Sequence, residues 1–204
     1  MKLHWSPKSP YVRKVMICAY ELELADRLEL VQSVVAMAEP NEDLMRHNPL
    51  SKIPTLVLDD GSALFDSIAI CEYLNHSANG SLFPGNGPEK WAALRWHALA
   101  DGLLDVLVLW RNERDRSDSQ RSDELIHAFA HKARGSLRLL DREVLAFSAS
   151  PFSIAHITIG CALGYLDFRF PAFDWKTLAP ALARWHTLME ARPSFSVTAP
   201  KLGG

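Results

Sequence analysis

Residues 48–70 read Asn-Pro-Leu-Ser-Lys-Ile-Pro-Thr-Leu-Val-Leu-Asp-Asp-Gly-Ser-Ala-Leu-Phe-Asp-Ser-Ile-Ala-Ile, and this stretch decides the fold of the first half of the chain. Thr55 to Leu58 and Ala63 to Phe65 are strand-like runs, and Asp59-Asp60-Gly61 between them is a tight turn. Proline at position 54 enters the first strand where it costs no ladder bond. Only an X-Pro linkage makes a cis peptide cheap, so Ile53-Pro54 is open to either isomer. Asp66-Ser67 then begins a helix directed towards Ala78, with a side chain suited to cap it.

Upstream, Lys2 to Trp5 is a short strand that stops at Ser6-Pro7. Val12, Val15, Met16, Ala19 and Leu22 repeat at helical spacing from Tyr11 onward. Leu28 to Val35 is a second strand, and Asn41 to His47 a weak helix. The order β-α-β-α-β-β-α specifies a mixed sheet with helices on both faces. Gly80, Pro84, Gly85, Gly87 and Pro88 mark a linker. Beyond it the apolar residues keep helical spacing: Leu99, Leu103, Val106, Leu107 and Trp110; Phe129, Ala133, Leu137, Leu140, Val144 and Phe147; Ile154, Ile157, Cys161 and Tyr165; Leu178, Leu182, Trp185 and Met189. The expected division is 1–78 for the α/β domain, 79–88 for the linker and 89–204 for an all-α domain.

The chain has 204 residues, 48% of them hydrophobic and 23% charged, the balance of an ordinary globular protein. A net charge of −2 gives no bulk attraction to nucleic acid or anionic membrane. No apolar run reaches the ~18 residues of a membrane helix, and the N-terminus lacks a secretory core. Cys18, Cys71 and Cys161 form neither a Cys-x-x-Cys pair nor a zinc cluster, and each sits in an apolar helical pattern. A reduced, cytoplasmic, metal-free protein is expected.

Two segments carry a family resemblance: Ser9-Pro10-Tyr11-Val12-Arg13-Lys14-Val15 after the first strand, and Asn48 to Thr55 followed by Phe65 to Ile70. With Leu82-Phe83-Pro84 and the helical second half, the chain resembles cytosolic glutathione S-transferases along essentially its whole length. It looks most similar to bacterial members with serine at the active-site helix. The resemblance implies a thioredoxin-like N-terminal domain, an all-helical C-terminal domain, glutathione as cosubstrate and a homodimer.

It also implies roles. A cis Ile53-Pro54 bond would turn the Ile53 backbone towards the cysteinyl backbone of glutathione. Ser67 and nearby amides would hold the γ-glutamyl carboxylate, Asp66 the amino group and Lys52 the other end of the peptide. A helix N-terminus suits that carboxylate on general grounds, since its orphan N–H groups and dipole favour anions. Ser9 is the catalytic residue the resemblance suggests, with Ser6 its rival and a purely capping serine the plain alternative. A thiol titrating near pH ~8.5 is mostly protonated at neutrality, and a hydroxyl donating to sulfur stabilises the anion. Trp5, Tyr11, Leu109 and Trp110 are the pocket residues implied for a hydrophobic electrophile, although Trp110 also completes an apolar stripe. Arg111 and Arg114 would attract an anionic substrate. Asp105 is implied to reach the glutathione amine of a neighbouring subunit, or else is a solvated helix charge.

His156 departs from the family pattern, standing where a carboxylate completes a capping box begun by Ser153. The expectation is a weakened box, so that His156→Asp would stabilise the protein. The remaining histidines (His4, His47, His76, His97, His127, His131 and His186) read as surface or helix-face residues. Three functions compete: a transferase acting on hydrophobic electrophiles, a non-catalytic docking protein of the same fold, and a glutathione-dependent peroxidase or reductase. The retained set Ser9, Lys52, Pro54, Asp66 and Ser67 favours the enzyme. Serine at position 9 argues against disulfide exchange there, because a hydroxyl forms no mixed disulfide.

Overall fold

The computed structural model describes residues 1–200. They divide into two compact units: Met1–Phe83 together with the segment that starts at Pro193, and Pro84–Arg192.

In the first unit the order is β1 (Lys2–Trp5), α1 (Pro10–Glu21), a 3-10 turn (Ala25–Arg27), β2 (Glu29–Gln32), α2 (Glu42–Met45), β3 (Thr55–Val57), β4 (Ala63–Leu64) and α3 (Ser67–Ser77). The strands form one mixed sheet ordered β2-β1-β3-β4. β1 runs parallel to β2, with Leu3 level with Leu30. β1 and β3 are antiparallel with Leu3 opposite Leu56, and β3 and β4 are antiparallel with Leu56 opposite Leu64. This is a thioredoxin-like arrangement. Gly61 turns the β3–β4 hairpin at φ 86°, a conformation that a side chain would strain. α1 follows from a cap at Ser9 and Pro10 in its first turn, where proline loses no helical bond. Val12, Val15, Ile17, Cys18 and Ala19 bury its core face.

The helical unit contains α4 (Pro88–Arg114), α5 (Asp123–Ser148), α6 (Ile154–Arg169), α7 (Trp175–Leu178) and α8 (Pro180–Glu190). α4 starts from Gly87, whose φ of 87° demands glycine, with Pro88 in the first turn. α6 is buried continuously from Ile154 to Leu166, so it carries apolar side chains all round rather than on one stripe. α4 packs against both α5 and α6, and α5 against α8. Phe147 is fully enclosed, edge-on to Trp96 and Trp185.

Three expectations need correction. The helical unit, expected over 89–204, ends at Arg192, and α9 (Pro193–Val197) belongs to the first unit. Its Phe195 is wholly buried there, and Arg13 donates to the Phe195 carbonyl at 3.1 Å. His156 does not weaken its helix start. Its Nδ1 accepts the Ser153 N–H at 3.1 Å, supplying the reach-back half of a capping box, while Nε2 donates to the Phe147 carbonyl at 2.8 Å. A neutral imidazole does here what a carboxylate cannot, accepting on one side and donating on the other. His4, His97 and His186 are buried rather than on the surface. All three cysteines are buried and outside any disulfide, and no helix among the described residues is long and apolar enough to cross a membrane.

Candidate functional site

The sheet register assembles the site. His4 lies opposite Thr55, so Trp5 and the Ser6–Ser9 loop leave the sheet beside Pro54. Leu64 lies opposite Leu56, so the chain running on through Phe65 to Asp66 returns to the level of Pro54. Three segments distant in sequence therefore meet at one end of the sheet. They are the start of α1, the Lys52–Pro54 loop and the start of α3.

Ser9 caps α1, its Oγ accepting the Val12 N–H at 3.3 Å. That bond uses a lone pair and leaves the hydroxyl proton for another acceptor. Ser6 Oγ accepts the Lys8 N–H at 3.4 Å, a longer contact in the loop itself. Tyr11 and Trp5 are half-buried in this unit.

The Lys52–Pro54 loop is pinned from beneath. Asn48 donates to the Lys52 carbonyl at 3.2 Å and to Thr55 Oγ1 at 2.9 Å, and Thr55 Oγ1 donates to the same carbonyl at 2.8 Å. Asn48 and Thr55 are almost fully enclosed. The Lys52 side chain is exposed, Ile53 and Pro54 are buried, and the Ile53–Pro54 peptide is cis. Asn48 was legible only as part of the motif; its bracing role depends on the loop closing over it.

Asp66 is exposed and caps α3 by accepting the Ile68 N–H at 3.2 Å. Ser67 is buried, and its Oγ receives a hydrogen bond from Lys14 Nζ at 2.9 Å. Lys14 is itself completely enclosed and its ammonium lies 5.6 Å from the Tyr11 ring centroid. Sequence reasoning missed Lys14. The available signal was a cation between Val12 and Val15 on a helix otherwise buried along that stretch. Behind the site, His4 Nδ1 pairs with Ser33 Oγ at 2.8 Å and Nε2 with His47 Nδ1 at 3.1 Å. Burial, and then the neighbouring His47, hold the His4 pKa below its ordinary value.

The other candidates lie in the helical unit. Asp105 and Leu109 are on exposed faces of α4. Trp110 is buried, its ring centroid 4.6 Å from that of Phe170 and 5.3 Å from that of Phe173. Among the described residues no group of His, Cys, Asp and Glu is arranged to hold a metal ion.

The family model described as glutathione S-transferase, N-terminal domain, matches residues 8–77, and the C-terminal domain model matches residues 123–187. The uncharacterized GST-like protein YibF of Escherichia coli is 31% identical over 203 residues, 98% of each chain. A glutathione transferase family member from Pseudomonas fluorescens, solved with bound glutathione, is 40% identical with a TM-score of 0.96, covering 98% of this chain and 99% of that one. A second structure from that organism, with bound S-(propanoic acid)-glutathione, has a TM-score of 0.91 at 39% identity, covering 99% and 100%. With family models matching in both units and relatives similar along nearly the whole length, the chain belongs to the glutathione S-transferase family.

Proposed function

We propose that this protein is a glutathione transferase that ionises the glutathione thiol and directs it at a small electrophile with an apolar body. The observation that carries the reading is the meeting of Ser9, Pro54 and Asp66-Ser67 at one sheet end, with Lys14 bonded to Ser67 from behind. The glutathione-bound relative at 40% identity supports glutathione as the peptide taken there.

In this reading Ser67, polarised by Lys14, donates its hydroxyl proton to the γ-glutamyl carboxylate at the anion-favouring N-terminus of α3. Asp66 takes the amino group, the Ile53 backbone pairs with the cysteinyl backbone, and Lys52 neutralises the glycyl carboxylate. Ser9 donates to the sulfur, and the thiol proton passes to solvent. A charge-assisted hydrogen bond of ~1.5–3 kcal/mol lowers the thiol pKa by roughly one to two units, enough to ionise much of it at neutral pH. The thiolate then forms a carbon–sulfur bond while the leaving group departs with its electron pair. Trp5 and Tyr11 are the apolar surfaces that the first unit offers to the electrophile. The working form is a cytoplasmic homodimer in which Asp105 contacts the glutathione amine of the neighbouring subunit.

The test is calorimetric titration with glutathione, paired with conjugation of 1-chloro-2,4-dinitrobenzene and reduction of cumene hydroperoxide. Binding with conjugation supports the transferase. Binding with peroxide reduction alone reassigns it to a peroxidase, and absence of binding favours a docking protein.

A further inference from the structure

Ser51 stands directly ahead of the Lys52–Pro54 loop in a backbone conformation that serine rarely takes. Its φ is 49°, in the left-handed region where a Cβ crowds the following carbonyl and glycine is the usual occupant. The turn before it explains the conformation. Asn48 Oδ1 accepts the Leu50 N–H at 3.0 Å, and the Ser51 N–H donates to the Asn48 carbonyl at 2.9 Å. The chain then reverses within one residue to bring the Lys52 carbonyl back onto the Asn48 amide.

Glycine would make that reversal without strain, so the serine side chain supplies something that glycine lacks. Its Oγ accepts the Asn41 N–H at 2.8 Å, ten positions upstream. Asn41 is the N-cap of α2, where its side chain accepts the Leu44 N–H at 3.0 Å. In a capping box the residue at the Leu44 position reaches back to the cap N–H. Leu44 is buried and has no acceptor to give, so Ser51 provides one from across the loop. Asn41 also donates to the Val34 carbonyl at 3.0 Å, just past β2. A line of hydrogen bonds thus runs from the end of β2 through Asn41 to Ser51, and stops at the peptide that leads into Lys52.

The two sides of Lys52 are held separately. Its carbonyl is fixed from beneath by Asn48 and Thr55, which sets the Ile53 backbone without help from Ser51. Ser51 fixes the side where the chain enters Lys52. The Lys52 side chain is exposed, and a long exposed lysine loses rotamer freedom whenever it pairs. The backbone at its root is what aims it.

We infer that Ser51 is a positioning residue: through Asn41 it aims Lys52 at the carboxylate of the residue following cysteine in the bound peptide. It thereby sets a preference for glutathione over γ-glutamylcysteine, a choice of ligand that rests on the transferase reading above.

Calorimetry on the whole protein with both peptides tests the role. The wild type is expected to bind the tripeptide more tightly. Ser51→Ala removes the hydroxyl, and Ser51→Gly removes it while relieving the backbone. Each should weaken glutathione about three- to five-fold, by lowering the fraction of protein with Lys52 in place, and leave γ-glutamylcysteine unchanged. Ser51→Gly should be the more stable of the two variants, so similar losses of affinity separate aiming from folding. The glutathione KM should rise by the same factor while kcat with 1-chloro-2,4-dinitrobenzene stays constant at saturation. Because Ser51 acts through Lys52, the double variant carrying Ser51→Ala and Lys52→Gln should bind glutathione no worse than Lys52→Gln alone.

Equal losses for the two peptides, losses that follow stability, or additive losses in the double variant overturn the role. A wild type indifferent to the glycyl carboxylate does the same. If the wild type binds neither peptide, the transferase reading fails and the role fails with it. If it binds glutathione and both Ser51 variants keep that affinity, the reading stands and the role alone falls.

Discussion

The ammonium of Lys14 lies 2.9 Å from the hydroxyl oxygen of Ser67, and both side chains are removed from solvent. A lysine carries its charge into such a place at a cost in desolvation that replacement by an apolar residue of similar volume often relieves. The cost is accounted for if the charge acts on a ligand through Ser67. Lys14→Met is therefore expected to weaken glutathione binding about ten-fold or more, the loss of a hydrogen bond backed by charge. The thermal midpoint should fall little or rise. Calorimetry and thermal unfolding on the same preparation check this, and a large loss of stability with unchanged affinity would make Lys14 a purely structural residue.

Ser9→Ala is expected to raise the apparent pKa of bound glutathione by roughly one to two units, read as thiolate absorbance against pH. Affinity for glutathione should change little. Loss of the cap on α1 should cost about 1 kcal/mol of stability, a separate readout. Ser6→Ala is the control, and a shift there but not at Ser9 would transfer the role to Ser6.

His156→Asp is expected to destabilise the protein by about 1–3 kcal/mol, since a buried carboxylate cannot donate to the Phe147 carbonyl and would face its oxygen instead. Burial holds the His156 pKa below its ordinary value; the Phe147 carbonyl opposes this, and Arg192 adds a smaller depression. The unfolded chain therefore binds the proton first as pH falls, so this contribution is complete above about pH 6.5 and declines below it. Wild-type protein should unfold at lower temperature at pH 5.5 than at pH 7, and His156→Gln should flatten that difference.

Asp167 sets a lower window. Burial raises its pKa, but His186 at 3.7 Å, the Trp175 hydrogen bond at 2.8 Å and the Lys176 ammonium at 3.0 Å outweigh that and hold it at about 2. A carboxylate depressed on folding stabilises above its unfolded pKa, and the effect disappears as pH falls from about 4 towards 2. Its side chain is 37% exposed, so solvent screening reduces the contribution to about 1 kcal/mol. Asp167→Asn should lose that amount at pH 7 and show a shallower decline between pH 4 and 2, measured by urea unfolding.

Local chemistry made most of the frame readable. Proline 54 at a strand start, Gly61 in a two-strand turn, and Ser9 and Asp66 ahead of apolar helical periods each act within a few residues, so their neighbours in sequence suffice to reveal them. The apolar pair Val34-Val35 extends the strand-like run from Leu28 past Gln32, where the ladder ends. The weak helix at 41–47 contracted to one turn capped by Asn41.

Tertiary structure decided what depends on partners far apart in the chain. Ser67 is bonded by a lysine 53 positions earlier, and Arg13 holds the Phe195 carbonyl 182 positions later. A sequence gives Lys14 as a cation on a helix and Pro193 as the end of a helical domain. Only packing turns the first into a buried donor and returns the second to the α/β unit. His156 makes the same point at short range. Its spacing from Ser153 was plain, but whether an imidazole completes or spoils that cap depends on the Phe147 carbonyl that accepts its second nitrogen, which the fold alone brings within reach.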